Sequence, residues 1–397
     1  MVKWRAVRVL RLITRLNIGG PSIQAITLSE RLTPRGFTTR LVHGSLGEGE
    51  GDMRYLLSPS VNVEHLTRLG RELSPADDYA AFRCVSKIVH EFRPQIVHTH
   101  MAKAGAIGRA ATALYNRSVA PSVRARVVHT YHGHVLEGYF SPAKTALFVG
   151  VERLLARSTD RIVAISPAIR DELLRDHRIG RPEQYRVVPL GFDLSALAAI
   201  DDRTRANARQ SLGIDQDAHV ISTVGRLTAI KQHHLFLETA RLVAQTDPSA
   251  LFLIAGDGEL RAALEETAHE FGLAGRVRFL GWRRDLATIY GASDVFLPTS
   301  RNEGTPVALI ESLAAGVPGV ATDVGGVRDV LADASGPVGA VAPYGNPVAL
   351  SDAVAQFLGD ASLRRTLGER GRASVIARYG IDRLVDDIDT LYHELLG

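Results

Sequence analysis

Short apolar runs rich in Val, Ile and Leu alternate along the chain with amphipathic stretches. In the first half the runs fall at Val7–Thr14, Thr38–His43, Val61–Leu66, Gln95–His100, Arg126–Tyr131, Arg161–Ser166 and Tyr185–Leu190, with helical periodicity between them, as at Asp77–Phe92 and Pro142–Arg157. The pattern restarts near residue 219 with Val220–Gly225, Ala250–Ala255, Val277–Leu280, Val295–Pro298, Gly319–Thr322 and Gly339–Ala342. Buried strands that alternate with helices predict parallel sheets covered on both faces, and the restart predicts two of them. The polar, weakly patterned stretch Ser195–Asp217 is expected to connect the two halves. Ile381–Leu396 places Leu384, Ile388, Leu391 and Leu395 on one helical face.

A chain of 397 residues suits two domains, and 45% hydrophobic with 23% charged residues suits a packed protein rather than a disordered one. The single Cys84 excludes a disulfide framework and any Cys-based zinc site, and it fits a reducing cytosol. No apolar run reaches the roughly 18–20 residues of a membrane span. Arg5, Arg8, Arg11 and Arg15 interrupt the N-terminus where a signal peptide would need an apolar core. A cytoplasmic location is therefore expected. Asn116-Arg117-Ser118 matches a glycosylation sequon, a pattern short enough to recur by chance. The net charge of +4 hides an asymmetry: residues 1–190 carry 28 Lys and Arg against 16 Asp and Glu, and residues 191–397 carry 19 against 27.

Ligands of open α/β sheets sit beyond the carboxyl ends of the strands, so candidate chemistry belongs at strand-to-helix turns. Three turns stand out. Asn17-Ile18-Gly19-Gly20-Pro21-Ser22 pairs glycines with a helix start, which suits close backbone approach to an anion or simply a tight turn capped by Ser22. Gly225-Arg226-Leu227-Thr228-Ala229-Ile230-Lys231 sets two cations five residues apart, where they can converge on a diphosphate or stay solvated. Glu303-Gly304-Thr305-Pro306 opens a helix that carries Glu311, with Pro306 expected at the first helical position. Carboxylates accept from sugar hydroxyls but repel phosphate. A pair of them flanking an anion-binding helix start points to a ligand with hydroxyls on both sides of a diphosphate, that is, a nucleotide sugar.

The run Arg301-Asn302-Glu303 through Glu311-Ser312-Leu313-Ala314-Ala315-Gly316-Val317-Pro318, followed by Ala321-Thr322-Asp323-Val324-Gly325-Gly326, resembles the E-x7-E block of retaining family 4 glycosyltransferases. Gly225-Arg226 with Lys231, Ala255-Gly256-Asp257-Gly258, His98-Thr99-His100 and Thr130-Tyr131-His132-Gly133 resemble that family too, in its order and spacing. The resemblance implies the GT-B fold: two Rossmann-like domains with parallel sheets and a cleft between them. It places an acceptor domain at 1–192, a donor domain at 193–378, and a C-terminal helix at 379–397 that crosses back to the first. It also implies that Arg226 and Lys231 bind the donor diphosphate, joined by amides at Gly304, Thr305 and Pro306. Glu311 would take the ribose hydroxyls, and Glu303 and His132 the donor sugar. Gly225 would line the diphosphate site, and Gly19 and Gly20 would close over it. His134 is the alternative to His132; His98 and His100 are expected to be structural or cleft-lining.

Two departures from the family pattern are visible. Gln232 follows Lys231 where the family has Gly, and Pro21-Ser22-Ile23-Gln24 lacks the acidic residue usual after the paired glycines.

The resemblance further implies transfer with retention from a UDP-sugar to a hydroxyl acceptor, in polysaccharide or glycoconjugate synthesis. Neither an Asp-x-Asp metal motif nor a Cys/His cluster of metal-binding spacing is recognised, so no metal and no cofactor beyond the nucleotide sugar is expected. The basic half lacks a nucleic-acid recognition motif. It would suit an anionic membrane or a lipid-linked acceptor, with Leu147, Phe148, Val151, Leu154 and Leu155 beside Lys144, Arg153, Arg157 and Arg161 either core-facing or at a lipid surface. The competing readings are a GT-B nucleotide-sugar epimerase and a catalytically silent nucleotide-sugar-binding protein.

Overall fold

The computed structural model describes residues 6–48, 50–133 and 142–397. The chain divides into two compact units, Met1–Phe192 together with Ile381–Gly397, and Asp193–Gly380. Within the first unit, β1 (Val7–Ile13), β2 (Phe37–Gly44), β3 (Asn62–Leu66), β4 (Ile96–His100), β5 (Arg126–Tyr131), β6 (Arg161–Ala164) and β7 (Tyr185–Val187) form one seven-stranded sheet in the order β3-β2-β1-β4-β5-β6-β7. Every pairing in it is parallel. The order reverses at β1 and β4, the switch point of a Rossmann-like sheet, where ligands are usually held.

Helices α1 (Gly20–Arg31), α2 (Pro75–Phe92) and α3 (Ala102–Ser118) cover this sheet. The C-terminal helix Ile381–Leu396 joins it, burying Leu384, Ile388, Leu391 and Leu395, the face its periodicity marked, together with Val385 and Tyr392. They pack against Val9, Leu28, Phe37, Val128 and Val163. Truncating one such leucine to alanine costs about 2–5 kcal/mol.

Helix α4 (Pro142–Ala156) carries apolar side chains on both of its faces. Val149, Ala156 and the charged Glu152 are buried, whereas Leu147, Val151 and Leu154 are exposed. Glu152 is met by Arg109 of α3, itself wholly buried, whose Nη2 donates to both carboxylate oxygens at 2.8 and 2.7 Å. The Tyr131 hydroxyl donates to the same carboxylate. A buried guanidinium left without its carboxylate is costly, so this pair adds to the apolar contacts of Val149 and Ala156 in holding the rotation of α4.

The second unit repeats the design on a smaller sheet. β8 (His219–Val224), β9 (Ala250–Ala255), β10 (Val277–Gly281) and β11 (Val295–Phe296) pair in parallel in the order β10-β9-β8-β11. A parallel bridge from Phe296 to Gly319 leads on to β12 (Val320–Thr322), which pairs with Ala340–Ala342. The stretch expected as a connection folds as two helices of this unit, Ser195–Ala198 and Asp202–Ser211. Its apolar signal is weak because capping and an ion pair replace burial: the Asp201 and Thr204 side chains cap each other's backbone, and Arg209 reaches Asp294 at 2.7 Å.

Candidate active site

In the second unit the loops after β8 and β11 converge. Lys231 Nζ lies 2.6 Å from Glu303 Oε1, which also accepts from Ser300 Oγ at 2.6 Å. The aliphatic stem of Lys231 lies over Gly225, where an added Cβ would come within 3.8 Å of it. The two loops are tied by Arg301 N to Ile230 O at 2.8 Å and Thr299 Oγ1 to Gln232 O at 2.9 Å. Gly225, Lys231, Glu303 and Gly304 thus belong to one assembly, with Arg226 exposed at its rim.

Two further glycine turns hold these loops by contact rather than by touching a ligand. Gly256 backs onto the carbonyl of Gly225, and Gly325, at φ 49°, backs onto the carbonyl of Glu303; a Cβ at either would overlap that oxygen. Leu227 N donates to Asp257 O and Gly326 N to Glu303 O. The Gly-Asp-Gly and Gly-Gly blocks were legible as motifs, but this bracing role was not.

Gln232 occupies the place where the family has glycine, and the reason is geometric. It sits at φ 50°, ψ 45°, in the left-handed region, as the N-cap residue of the helix His233–Thr246. Its side-chain amide donates to Ala229 O at 2.6 Å, a local bond that offsets part of the strain. The departure therefore changes the side chain and keeps the glycine-like backbone.

The helix Val307–Ala314 starts one residue later than expected. Pro306 is its N-cap residue, at φ −76° and ψ 84°, and as an imino acid it has no N–H to give an anion. The available donors are the amides of Gly304 and Thr305 and those of Val307 and Ala308 in the first helical turn, whereas the Leu309 amide already donates to Pro306 O at 3.1 Å. Further along, Glu311 accepts from Tyr290 Oη at 2.9 Å. Burial pushes its pKa up to about 7 against the opposing pull of that hydrogen bond.

In the first unit Gly19 is the N-cap residue of α1, and Gly20 opens the helix. Ser22 does not cap; its hydroxyl donates to Asn17 O at 2.6 Å. Gly20 is close to Leu190, the nearest atom to an added Cβ at 3.0 Å. At the switch point a polar cluster fills the sheet. His98 and His100 stack at 4.4 Å on one face of β4, and His129 hydrogen-bonds Thr99 on the other. His132 Nε2 lies 3.0 Å from His100 Nδ1. Loss of hydration lowers His98, His100 and His129 well below the ordinary imidazole range and His132 to about 3. All four rings are therefore neutral at physiological pH. Arg11, at the centre of this cluster, was not a sequence candidate; an arginine in mid-strand between apolar neighbours was the signal. His134 and the rest of 134–141 lie outside the described residues, as does the Lys144 side chain.

Two Asp-x-Asp triplets do occur, against the expectation from sequence. Asp215-Gln216-Asp217 is an exposed turn, and Asp387-Ile388-Asp389 lies in the C-terminal helix, where Asp387 pairs with Arg383 and Asp389 with Arg35. Among the described residues no group of three or more His, Cys, Asp or Glu side chains is arranged to hold a metal. The sequon residue Asn116 is engaged on both sides by the backbone of Ala125, at 2.8 Å each.

Two family models match the chain: Glycosyltransferase Family 4 over residues 18–196 and Glycosyl transferases group 1 over residues 204–374. The D-inositol 3-phosphate glycosyltransferase of Geodermatophilus obscurus is 30% identical over 403 residues, covering 94% of this chain and 84% of that one. The UDP-Gal:alpha-D-GlcNAc-diphosphoundecaprenol alpha-1,3-galactosyltransferase of Escherichia coli is 29% identical over 279 residues, 70% of each chain. Among solved structures, HepE of Anabaena in complex with UDP superposes with a TM-score of 0.82 over 98% of this chain and 100% of that chain at 21% identity. That likeness shows the GT-B fold. Taken with the match across both units, it makes the chain a member of the family 4 glycosyltransferases.

Proposed function

We propose that the protein transfers a sugar with retention from a UDP-sugar to a hydroxyl acceptor, and that the donor diphosphate is held by Arg226, Lys231 and the amides of Gly304 and Thr305. The observation that carries this is the Lys231–Glu303–Ser300 group at the foot of a helix start, with Glu311 farther along the same helix. A cation, free amides and two carboxylates in that order match the anionic centre and hydroxyl-bearing ends of a nucleotide sugar. Glu311 takes the ribose hydroxyls, Glu303 and His132 the sugar, and Gly19 and Gly20 offer backbone to the phosphates.

In the reaction the bond from the anomeric carbon to the diphosphate oxygen breaks. A new bond to the acceptor oxygen forms on the same face, and the acceptor proton passes to the departing phosphate oxygen. Charge builds on the diphosphate, so Arg226, Lys231 and the amides stabilise the transition state more than the ground state, and chemistry of this kind needs no metal. Incubating the enzyme with UDP-sugars and hydroxyl acceptors tests this. UDP release that depends on acceptor, with the product's anomeric configuration retained, supports it. Epimerised sugar without transfer, or donor binding without turnover, favours the two competing readings.

The exposed face of α4 favours a further element. Leu147, Val151 and Leu154 lie at helical spacing in solvent, beside the exposed Arg153 and Arg157. This is the composition of a surface that rests on anionic lipid, which suits a lipid-linked acceptor at the cytoplasmic face of a membrane. No described helix is long and apolar enough to cross one. Sedimentation with vesicles checks it: binding should need anionic lipid, weaken with salt and fall in Leu147→Ser/Leu154→Ser.

A further inference from the structure

We propose that Arg11 and His100 are positioning residues that hold His132 as the neutral ring with its proton on Nδ1, so that it offers a hydrogen-bond donor and no basic nitrogen to a hydroxyl oxygen of the donor sugar. The inference rests on the reading that His132 contacts that sugar, and it adds which nitrogen does so and in what state.

The direction of each hydrogen bond follows from Arg11. A guanidinium only donates and does not lose its proton in a protein. Arg11 Nη1 lies 3.1 Å from His98 Nδ1 and 3.3 Å from His100 Nε2, so both ring nitrogens must accept. His98 then carries its proton on Nε2 and donates to Thr130 Oγ1 at 2.7 Å. Tyr392 Oη accepts from Arg11 Nη2 at 3.1 Å and lies 2.7 Å from the same His98 Nδ1. His100, with Nε2 accepting, carries its proton on Nδ1 and donates it to His132 Nε2 at 3.0 Å. His132 Nε2 is thereby occupied as an acceptor, and the ring's own proton must sit on Nδ1. That atom is buried and has no partner among the described residues.

The reverse assignment fails. If His132 donated to His100, then His100 would bear its proton on Nε2, pointing at an arginine that can only donate. The groups facing the rings come from every packed element: Arg11 from β1, His98 and His100 from β4, Thr130 from β5 and Tyr392 from the C-terminal helix. None of them is a carboxylate that could neutralise Arg11 or draw a second proton onto a ring. Burial pushes His100 and His132 the same way, toward neutrality.

A second observation comes from the backbone. Met101, immediately after His100, has φ 65° and ψ 159°, a region close to glycine-only. Such strain persists where the surrounding structure fixes the geometry, and it clusters at functional positions.

The test is nitrogen-15 spectroscopy of the imidazole rings in the full chain, with the His132 signal assigned by its loss in His132→Asn. Wild-type His132 should read as neutral and protonated at Nδ1. In His100→Phe, which removes the donor, it should shift to the Nε2-protonated form and turnover should fall roughly tenfold. In His100→Asn, whose amide can donate from the same position, it should keep the Nδ1 proton and most of the turnover. A wild-type ring protonated at Nε2 or on both nitrogens overturns the proposal whatever the His100 variants do. So does a ring unchanged in His100→Phe. If the ring states are as proposed but His132→Ala turns over like wild type, the sugar contact fails and the relay stands.

Discussion

Among the described residues of the first unit two arginines are wholly buried, and they are held in opposite ways. Arg109 meets a carboxylate, Glu152, through two short hydrogen bonds. Arg11 meets two imidazoles and a phenol, and among the described residues no carboxylate. The first arrangement is closed: the charges cancel, and the pair's effect is to help hold the rotation of α4. The second is open. The charge of Arg11 is not cancelled, and its donors order a chain of rings that ends at His132. A buried charge with its counter-charge is a structural device, whereas one partnered by neutral, orientable groups directs hydrogen bonds toward a site.

The comparison breaks or holds on paired substitutions. Glu152→Ala leaves Arg109 buried and unpaired and should cost about 3–5 kcal/mol by urea unfolding, with turnover of the folded protein nearly kept. Arg11→Met removes a desolvated charge along with its bonds, so it should cost less stability and more turnover. If Arg11→Met unfolds the protein as readily as Glu152→Ala and spares the turnover of what remains folded, the distinction is wrong.

Acid should expose the same difference. The rings of His98, His100 and His129 are buried and neutral, with pKa values well below that of an unfolded histidine. Below about pH 6.5 the unfolded chain binds the extra protons, so stability falls as pH drops, by about 1.4 kcal/mol per pH unit for each ring. Urea midpoints at pH 7, 6 and 5 measure it, and replacing His129 with an untitratable residue should make the slope shallower by one ring. The Arg109–Glu152–Tyr131 group contains no imidazole.

The second unit offers the contrasting case of a carboxylate without a cation. Glu311 is raised to about 7, so the stability carried by its neutral form is full below the unfolded value and is lost as pH rises through 7. Glu311→Gln should therefore stabilise the free enzyme at pH 8, by up to about 3 kcal/mol, while weakening UDP. In the wild type UDP affinity should fall as pH drops below 7 under the proposal that the ribose hydroxyls donate to the Glu311 carboxylate. The smallest effect is expected at Gln232, where glycine would relieve left-handed strain. Gln232→Gly should stabilise by about 1 kcal/mol in a thermal melt, with activity kept.

The strand runs were legible because parallel strands buried on both faces leave an apolar signature, and their ends named the loops that carry Lys231 and Glu303. The helix Asp202–Ser211 was not legible, since its interior contacts are Ala208 and a buried arginine rather than an apolar stripe. The rotation of α4 was hidden for the converse reason: apolar residues line both of its faces, and the buried Glu152 pair marks which one is covered. Glu303, Lys231 and Gly304 were named from spacing and meet in space. The Arg11 chain escaped notice because nothing local in an Arg-bearing strand tells a solvated edge from a buried centre.

The charge asymmetry also reads differently by unit than by half. Ile381–Gly397 carries five acidic residues and one arginine onto the basic first unit. Asp386 and Asp389 meet Arg35, and Glu394 meets Arg186. The positive surplus is therefore partly met by the chain itself.

Calorimetric titration of UDP into wild type and Lys231→Met tests the central claim, that the second unit's Lys231 holds the donor diphosphate, most directly. A charge-assisted hydrogen bond to phosphate contributes about 1.5–3 kcal/mol, so the variant should bind UDP roughly 10- to 150-fold more weakly with its fold intact. Affinity within twofold of wild type would contradict the account.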